Sequence, residues 1–265
     1  MMSSYKATSD IDVLTTTAEI PGFGSICINA FVLDGTEPIL VDTGAVVDRD
    51  EFMTALRSVI DPAALKYIWL THTDFDHIGS LAQLLAENPD LRVITTFLGV
   101  GIMGLADPLP MNRVRFVNPG ETITIGDRTL TAVKPPLFDN ACTTGFYDST
   151  SGALFSSDCF GALLSAVPGN ATDLTEDELR QGQVFWATVD SPWVHNVNES
   201  AFAAELDRFR QIEPRIVLSS HLPPAPGHML DPMLRSLATV PMAERFVGPD
   251  QMALEHLLSQ LDAPV

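Results

Sequence analysis

Short apolar runs separated by turn residues dominate the first part of this chain. Residues 11–14, 25–33 and 38–42 read as strands, the third ending in the turn Asp42-Thr43-Gly44. The period then changes. Asp48 and Glu51 have the spacing of a helix-initiating capping box, and Phe52, Leu56 and Ile60 recur on one face, so a helix is expected. A buried strand is expected over 65–70, a helix through Leu81, Leu84 and Leu85, and a strand over 92–95. Between 113 and 157 the pattern is again strand-rich: 114–117, 122–125, 129–133 and 153–157, with turns at Pro119-Gly120, Gly126-Asp127 and Ser151-Gly152. Thr175 and Glu178 repeat the capping-box spacing, and Phe202, Leu206 and Phe209 mark a further helix. Residues 216–218 make a late buried strand. The tail from Asp250, with Leu254, Leu257, Leu258 and Leu261, has helical periodicity. Strands with helices, more strands, then helices and a strand again imply an α/β chain of two helix-covered sheets, a four-layer αβ/βα sandwich.

Composition narrows the class. The 265 residues are 46% hydrophobic and 18% charged, enough apolar material for a large core, and one domain over 1–265 is expected. The formal net charge of −19 argues against nucleic acid or an anionic membrane surface as partner. Cys27, Cys142 and Cys159 form neither a CxxC pair nor an even framework, which suits a reduced, cytoplasmic protein. No signal-type segment and no long apolar run are evident.

The densest chemistry follows the strand at 65–70. Thr71-His72-Thr73-Asp74-Phe75-Asp76-His77-Ile78-Gly79-Ser80 places two imidazoles and two carboxylates within six residues. Such groups are not buried without an opposite charge, and a pair of metal ions explains them best. Four apolar strands end in a residue of ligand type: 38–41 in Asp42, 65–70 in His72, 153–157 in Asp158 and 216–220 in His221. Open sheets gather ligands beyond the carboxyl ends of their strands.

These motifs resemble the metallo-β-lactamase superfamily: Asp42-Thr43-Gly44, the stretch from His72 to His77, Leu154-Phe155-Ser156-Ser157-Asp158, and Ser219-Ser220-His221, in that order. Zinc hydrolases of the superfamily carry H-x-H-x-D-H. This chain has His72-x-Asp74-x-Asp76-His77, which is similar to the H-x-E-x-D-H of the flavodiiron branch. The superfamily's middle histidine falls near 137–140, where Asp139 is the nearest replacement. The resemblance implies one metal held by His72, Asp74 and Asp139, another by Asp76, His77 and His221, and Asp158 bridging them. Asp42 is expected to brace the loop from behind rather than to ligate. His195 and Trp193 are candidates for the substrate pocket. Phe97, Met103, Phe138, Phe185 and Trp186 are further candidates for its wall. Cys159 is expected to be a small core residue, His228 a non-ligand and His256 structural.

A carboxylate in place of an imidazole hardens the site, which favours two iron ions, with manganese or zinc as alternatives. The resemblance implies a diiron monooxygenase that hydroxylates a small or carrier- or coenzyme A-bound organic acid, using dioxygen and a separate electron donor. A dinuclear hydrolase of an ester, lactone, thioester or phosphodiester and a diiron sensor of dioxygen or nitric oxide are the alternatives. A homo-oligomer is among the arrangements the sequence permits.

Overall fold

The computed structural model describes residues 2–261, and two mixed β-sheets organise them. Sheet one contains β1 (Ser3–Thr8), β2 (Ile11–Ile20), β3 (Gly24–Leu33), β4 (Ile39–Val41), β5 (Tyr67–Trp69), β6 (Arg92–Thr95) and β7 (Val114–Phe116) in sequence order. Pairing is antiparallel from β1 to β4 and parallel from β4 to β7. The crossovers carry α1 (Arg49–Val59), α2 (Leu81–Glu87) and α3 (Phe97–Met103). Sheet two runs β8 (Thr122–Ile125), β9 (Arg128–Val133), β10 (Gly145–Asp148), β11 (Ala153–Phe155), β12 (Ile216–Leu218) and β13 (Ala225–Pro226), with only β11 and β12 parallel. Helices α4 (Glu176–Asp190) and α5 (Glu199–Arg210) lie between β11 and β12, and α6 (Leu230–Thr239) and α7 (Gln251–Leu261) follow β13.

Three apolar clusters define the layers. The central one joins Val13, Phe31, Val41 and Trp69 of sheet one to Leu130, Phe146, Phe155 and Leu218 of sheet two. A second packs α1, α2 and α3 against the outer face of sheet one through Phe52, Leu56, Leu81, Leu84 and Met103. The third packs α4, α5 and α6 over the outer face of sheet two through Leu179, Phe202, Leu206, Met233 and Leu237. This is the αβ/βα arrangement expected from the sequence. No helix among the described residues is long and apolar enough to cross a membrane.

A buried ion cluster ties the sheets together at one end. Arg128 of β9 donates to Asp148 of β10, to Asp10 in the β1–β2 turn and to the carbonyl of Asp34 after β3. Arg128 is 3% exposed and Asp148 is fully buried.

Several elements differ from the sequence reading. The strand β1 was not expected, because Ser3–Thr8 is a polar edge strand with little buried on either face. The strand β10 starts at a glycine, and a Cβ on Gly145 would come within 2.1 Å of the Phe155 carbonyl oxygen. Helix α3 contains two glycines in seven residues, and α6 has a proline in its first turn, both of which weaken the helical signal. The Asp48 capping box does not form. Asp48 closes a 3-10 turn over Val46–Asp48, so it lacks the extended backbone that would aim its side chain at the helix N–H groups. The Thr175 box does form, with Thr175 Oγ1 accepting from the Glu178 N–H and Glu178 accepting from the Thr175 N–H. Thr175→Ala is therefore expected to cost about 1 kcal/mol in a urea melt. In α7, Leu254, Leu257 and Leu258 are exposed. The Leu261 side chain lies outside the described residues.

Candidate metal centre

The C-terminal ends of β4, β5, β11 and β12 bring Asp42, His72, Asp158 and His221 to one end of the sandwich, as the strand-end reading anticipated. The loop after β5 is held from behind. Asp42, in a left-handed backbone conformation (φ 58°), accepts from the Thr71 N–H at 2.8 Å and from Thr71 Oγ1 at 2.7 Å. Its Oδ2 also lies 2.9 Å from His77 Nδ1. Thr43 donates twice to the His77 carbonyl, and the Gly79 N–H donates to the Gly44 carbonyl. That approach needs glycine at 79, since a Cβ there would sit about 2.4 Å from the Ala45 backbone. Ser157 and Phe160, flanking Asp158, also adopt positive φ, the backbone strain that clusters at functional sites.

Each of the three buried imidazoles is oriented through Nδ1. His72 Nδ1 meets Thr71 Oγ1 at 3.1 Å and Ser157 Oγ at 3.2 Å. His77 Nδ1 faces Asp42, and His221 Nδ1 lies 2.9 Å from the Cys27 carbonyl oxygen. A carbonyl oxygen only accepts, so His221 Nδ1 carries the hydrogen and Nε2 offers a lone pair. The Nε2 atoms of His72 and His77 are buried and have no hydrogen-bond partner. All three Nε2 atoms converge on Asp158, at 3.5 Å for His72, 3.2 Å for His77 and 3.3 Å for His221. Asp76 Oδ2 lies 3.4 Å from both His77 and His221, and Asp139 Oδ2 lies 3.7 Å from His72.

The ligand-type atoms fall into groups within 4.8 Å of one another: His72, Asp74 and Asp139; Asp76, His77 and His221; and His72, His77 and Asp158. These are the two triples and the shared carboxylate that the sequence motifs imply. Imidazoles fixed by an Nδ1 partner with Nε2 free, facing carboxylates, are the donor set of a transition-metal site. The residues thus fit a pair of metal ions. Asp42 supports the site through His77 and Thr71 without entering any group. Asp42→Ala is expected to weaken metal affinity about 10–100-fold, read by competition with a chelator, with the ligands themselves intact.

The electrostatics are those of a cation site. Burial opposes the Asp158 carboxylate, but His72, His221 and His77 hold its pKa well below the usual range. Burial opposes protonation of His221, yet Asp158 and Asp76 raise its pKa to about 9, and His77 is raised well above its ordinary value for the same reason. His72 is lowered, by burial and by its neighbour His77. Asp139 is pushed up to about 8 by burial and by Asp158 and Asp74. Metal ligands must shed their protons, so a cation displaces those on His77, His221 and Asp139 at neutral pH. Apparent metal affinity should therefore rise at least about tenfold per pH unit between pH 6 and 8. Isothermal titration in a series of buffers measures this.

The remaining candidates separate. Trp193 packs against Phe138 with the rings tilted and 4.8 Å between centroids, and its Nε1 donates to the Phe138 carbonyl at 2.7 Å, tying down the segment that presents Asp139. Together they wall a groove of about 510 Å³ shared with Lys134, Phe202 and Phe209. His195 instead turns toward the Pro241 carbonyl at 3.4 Å and enters none of the ligand groups. Trp186 lies against the His221 ring, 5.2 Å between centroids, whereas Phe185 packs with Phe23 and Phe246, and Phe97 is largely exposed. Met103 belongs to the core beneath α3. Burial pushes the Cys159 thiol up to about 12, so it is not a reactive thiolate. His228 lies in a short 3-10 turn, and His256 is on the exposed α7.

Two site residues were not singled out from the sequence. Asn140 donates from Nδ2 to Asp74 Oδ1 at 2.9 Å, while its N–H donates to Asp139 Oδ1 at 2.6 Å, so it couples two ligand carboxylates. Asp190, at the end of α4, forms a further group with Asp139 and Asp158. Its only sequence signal is an acidic residue where a helix stops before Ser191-Pro192.

Comparison with known proteins agrees with this geometry. The profile of the ODP family beta lactamase matches residues 26–221, which contain every ligand-type residue named above. An anaerobic nitric oxide reductase flavorubredoxin of Salmonella typhi is 31% identical over 134 residues, 50% of this chain and 28% of the relative. The corresponding protein of Citrobacter koseri is 30% identical over the same span. The chain thus spans under a third of the length of these curated relatives. Among solved structures, the rubredoxin oxygen:oxidoreductase of Desulfovibrio gigas superposes with a TM-score of 0.77 at 18% identity, covering 89% of this chain and 61% of that one. A flavo di-iron protein variant from Thermotoga maritima gives 0.78 at 20% identity, covering 91% and 61%. At these identities the structures establish a common fold. With that fold, the four motifs in order and a family match over most of its length, the chain belongs to the ODP family of beta lactamases and carries the metallo-β-lactamase fold in a carboxylate-rich form.

Proposed function

We propose that this chain is a non-haem diiron oxidoreductase that activates dioxygen with electrons from a separate donor. The observation that carries the reading is the donor set: three imidazoles and the carboxylates of Asp74, Asp76, Asp139 and Asp158, grouped around two positions. Four carboxylates balance two divalent cations, and an oxygen-rich set suits iron or manganese better than a thiolate- or imidazole-rich one would. The solved relatives named flavo di-iron proteins and the curated relatives named nitric oxide reductases support the same assignment. When bound, an iron pair supplies the electron exchange with dioxygen that side chains lack.

The chain's own residues do the rest. Asp42, Thr71, Ser157 and the Cys27 carbonyl fix the imidazoles in the tautomer that presents Nε2. Asp158 contacts all three and holds the two groups together. Asn140 sets the separation of Asp74 from Asp139. Phe138, next to Asp139 in the chain, packs with Trp193 to form one wall of an apolar groove. The finer reading is hydroxylation of a small or carrier- or coenzyme A-bound organic acid: R–H, dioxygen, two electrons and two protons give R–OH and water. Nitric oxide is the alternative diatomic substrate, favoured by the flavorubredoxin relatives. A hydrolase is less well supported, because carboxylates at 74 and 139 stand where the zinc hydrolases carry histidine.

The test is oxygen uptake by iron-loaded protein with a chemical reductant, followed by mass spectrometry of candidate acyl thioesters under labelled dioxygen. Reductant-dependent uptake, with label in the product, is expected. Iron-loaded protein that consumes neither dioxygen nor nitric oxide but cleaves an ester would overturn the reading.

A further inference from the structure

The last residue of α4 is Asp190, at the negative end of a fifteen-residue helix with no basic residue in its last turn. A carboxylate is unfavourable there, since the unsatisfied carbonyls of the last turn repel it. Its surroundings add to the problem. Asp190 is half-buried, and ligand oxygens of Asp139, Asp158 and Asp190 lie within 4.8 Å of one another. Among the described residues, its side chain accepts one hydrogen bond, from Ser191 Oγ at 3.3 Å. Asp158 disfavours its charged form, while His221 and His77 favour it.

Three carboxylates at a helix C-terminus do not by themselves make a site. Here, however, a buried donor points into the same cluster. His72 is fully buried, its Nε2 has no hydrogen-bond partner, and that atom lies 3.5 Å from Asp158 Oδ2 and 3.7 Å from Asp139 Oδ2, both members of the Asp190 group.

We infer that Asp190 is an eighth ligand of the metal pair, so that the centre is built from three imidazoles and five carboxylates. The inference rests on the reading of this cluster as a dinuclear metal site. It accounts for a carboxylate that is otherwise repelled by its own helix and by two acidic neighbours. It also sharpens the choice of metal. Five carboxylates exceed the charge of two divalent ions by one, and the surplus favours ions with an accessible trivalent state, iron or manganese, over zinc. Asp190 belongs to α4 of the helical layer, whereas the seven motif ligands follow strands or lie in the loops between them. Ligand set and helix packing are thereby linked: a shift of α4 would move one ligand and leave the others in place.

The experiment is an anaerobic titration of the full chain with manganese(II) and with iron(II), comparing wild type, Asp190→Asn and Asp190→Ala, together with a crystal structure of the manganese-loaded wild type. Wild type is expected to bind two ions. Both variants should bind one of the two at least about tenfold more weakly, Asp190→Asn keeping the shape of the side chain without its charge. In the crystal an Asp190 oxygen should lie about 2.2 Å from a metal ion, the ordinary metal–carboxylate distance. Two ions held with unchanged affinity by both variants, or an Asp190 carboxylate beyond about 3 Å from either ion, would overturn the inference and leave the dinuclear centre standing. A wild-type protein that binds neither metal would instead defeat the reading of the centre itself, and this inference with it. The crystallographic distance decides the matter even where a variant fails to fold.

Discussion

Asp158→Ala is expected to abolish loading of both metal ions and all oxygen-dependent turnover. Among the described residues no other side chain reaches as many of these imidazoles: its carboxylate lies within 3.5 Å of the Nε2 atoms of His72, His77 and His221. The same carboxylate raises the pKa of His77 and His221, so it organises the charge of the site as well as its geometry. Losing a supporting partner such as Asp42 costs about 10–100-fold in affinity, and loss of the shared ligand should exceed the upper end of that range. Elemental analysis after anaerobic reconstitution measures the content directly. Asp158→Asn, with nearly the same shape, separates loss of charge from loss of packing. Asp74→Ala should remove metal and activity together by the same logic, through its group with His72 and Asp139. Full metal content and rate in either alanine variant would refute the ligand assignment.

The second large effect is on stability and involves none of the residues assigned as metal ligands. Arg128→Ala should cost about 3–5 kcal/mol, because it leaves the fully buried Asp148 carboxylate without its guanidinium partner. Arg128 also donates to Asp10 and to the Asp34 carbonyl, so the change loosens the end where β9 and β10 meet the β1–β2 turn. For a chain of this size that is a fall in Tm of about 10 °C. Replacing the pair with apolar residues of matching volume should recover much of the loss, since removing both partners avoids the orphaned charge. A melt within a degree or two of wild type for Arg128→Ala would contradict the role given to this cluster.

The parts of the molecule that could be read from sequence share a physical reason. Asp42, His72, Asp158 and His221 follow apolar runs directly, so burial pattern and ligand chemistry mark the same positions. Asp74, Asp76 and His77 sit in one loop, where local density of ligand types is itself the signal. Asp139 was reachable through the resemblance, which implies a ligand near 137–140 where Asp139 is the nearest replacement, and the structure sets its carboxylate 3.7 Å from His72. What stayed hidden depends on distant contacts. Asp190 enters the cluster only because α4 packs so that its last residue faces Asp139 and Asp158. Asn140 looks like a turn residue until its amide is found on Asp74. Arg128 meets partners far from it in sequence, which no local pattern reveals. His195 shows the converse. It was a candidate for the substrate pocket, but its Nδ1 lies 3.4 Å from the Pro241 carbonyl oxygen.

The central claim, that strand ends and the loop after β5 assemble a carboxylate-rich pair of iron positions, is tested most directly by metal identity and stoichiometry. Protein reconstituted with iron(II) without oxygen, desalted and analysed, should retain two iron ions per chain in preference to zinc offered at equal concentration. Retention of no iron, or exclusive retention of zinc, would contradict it.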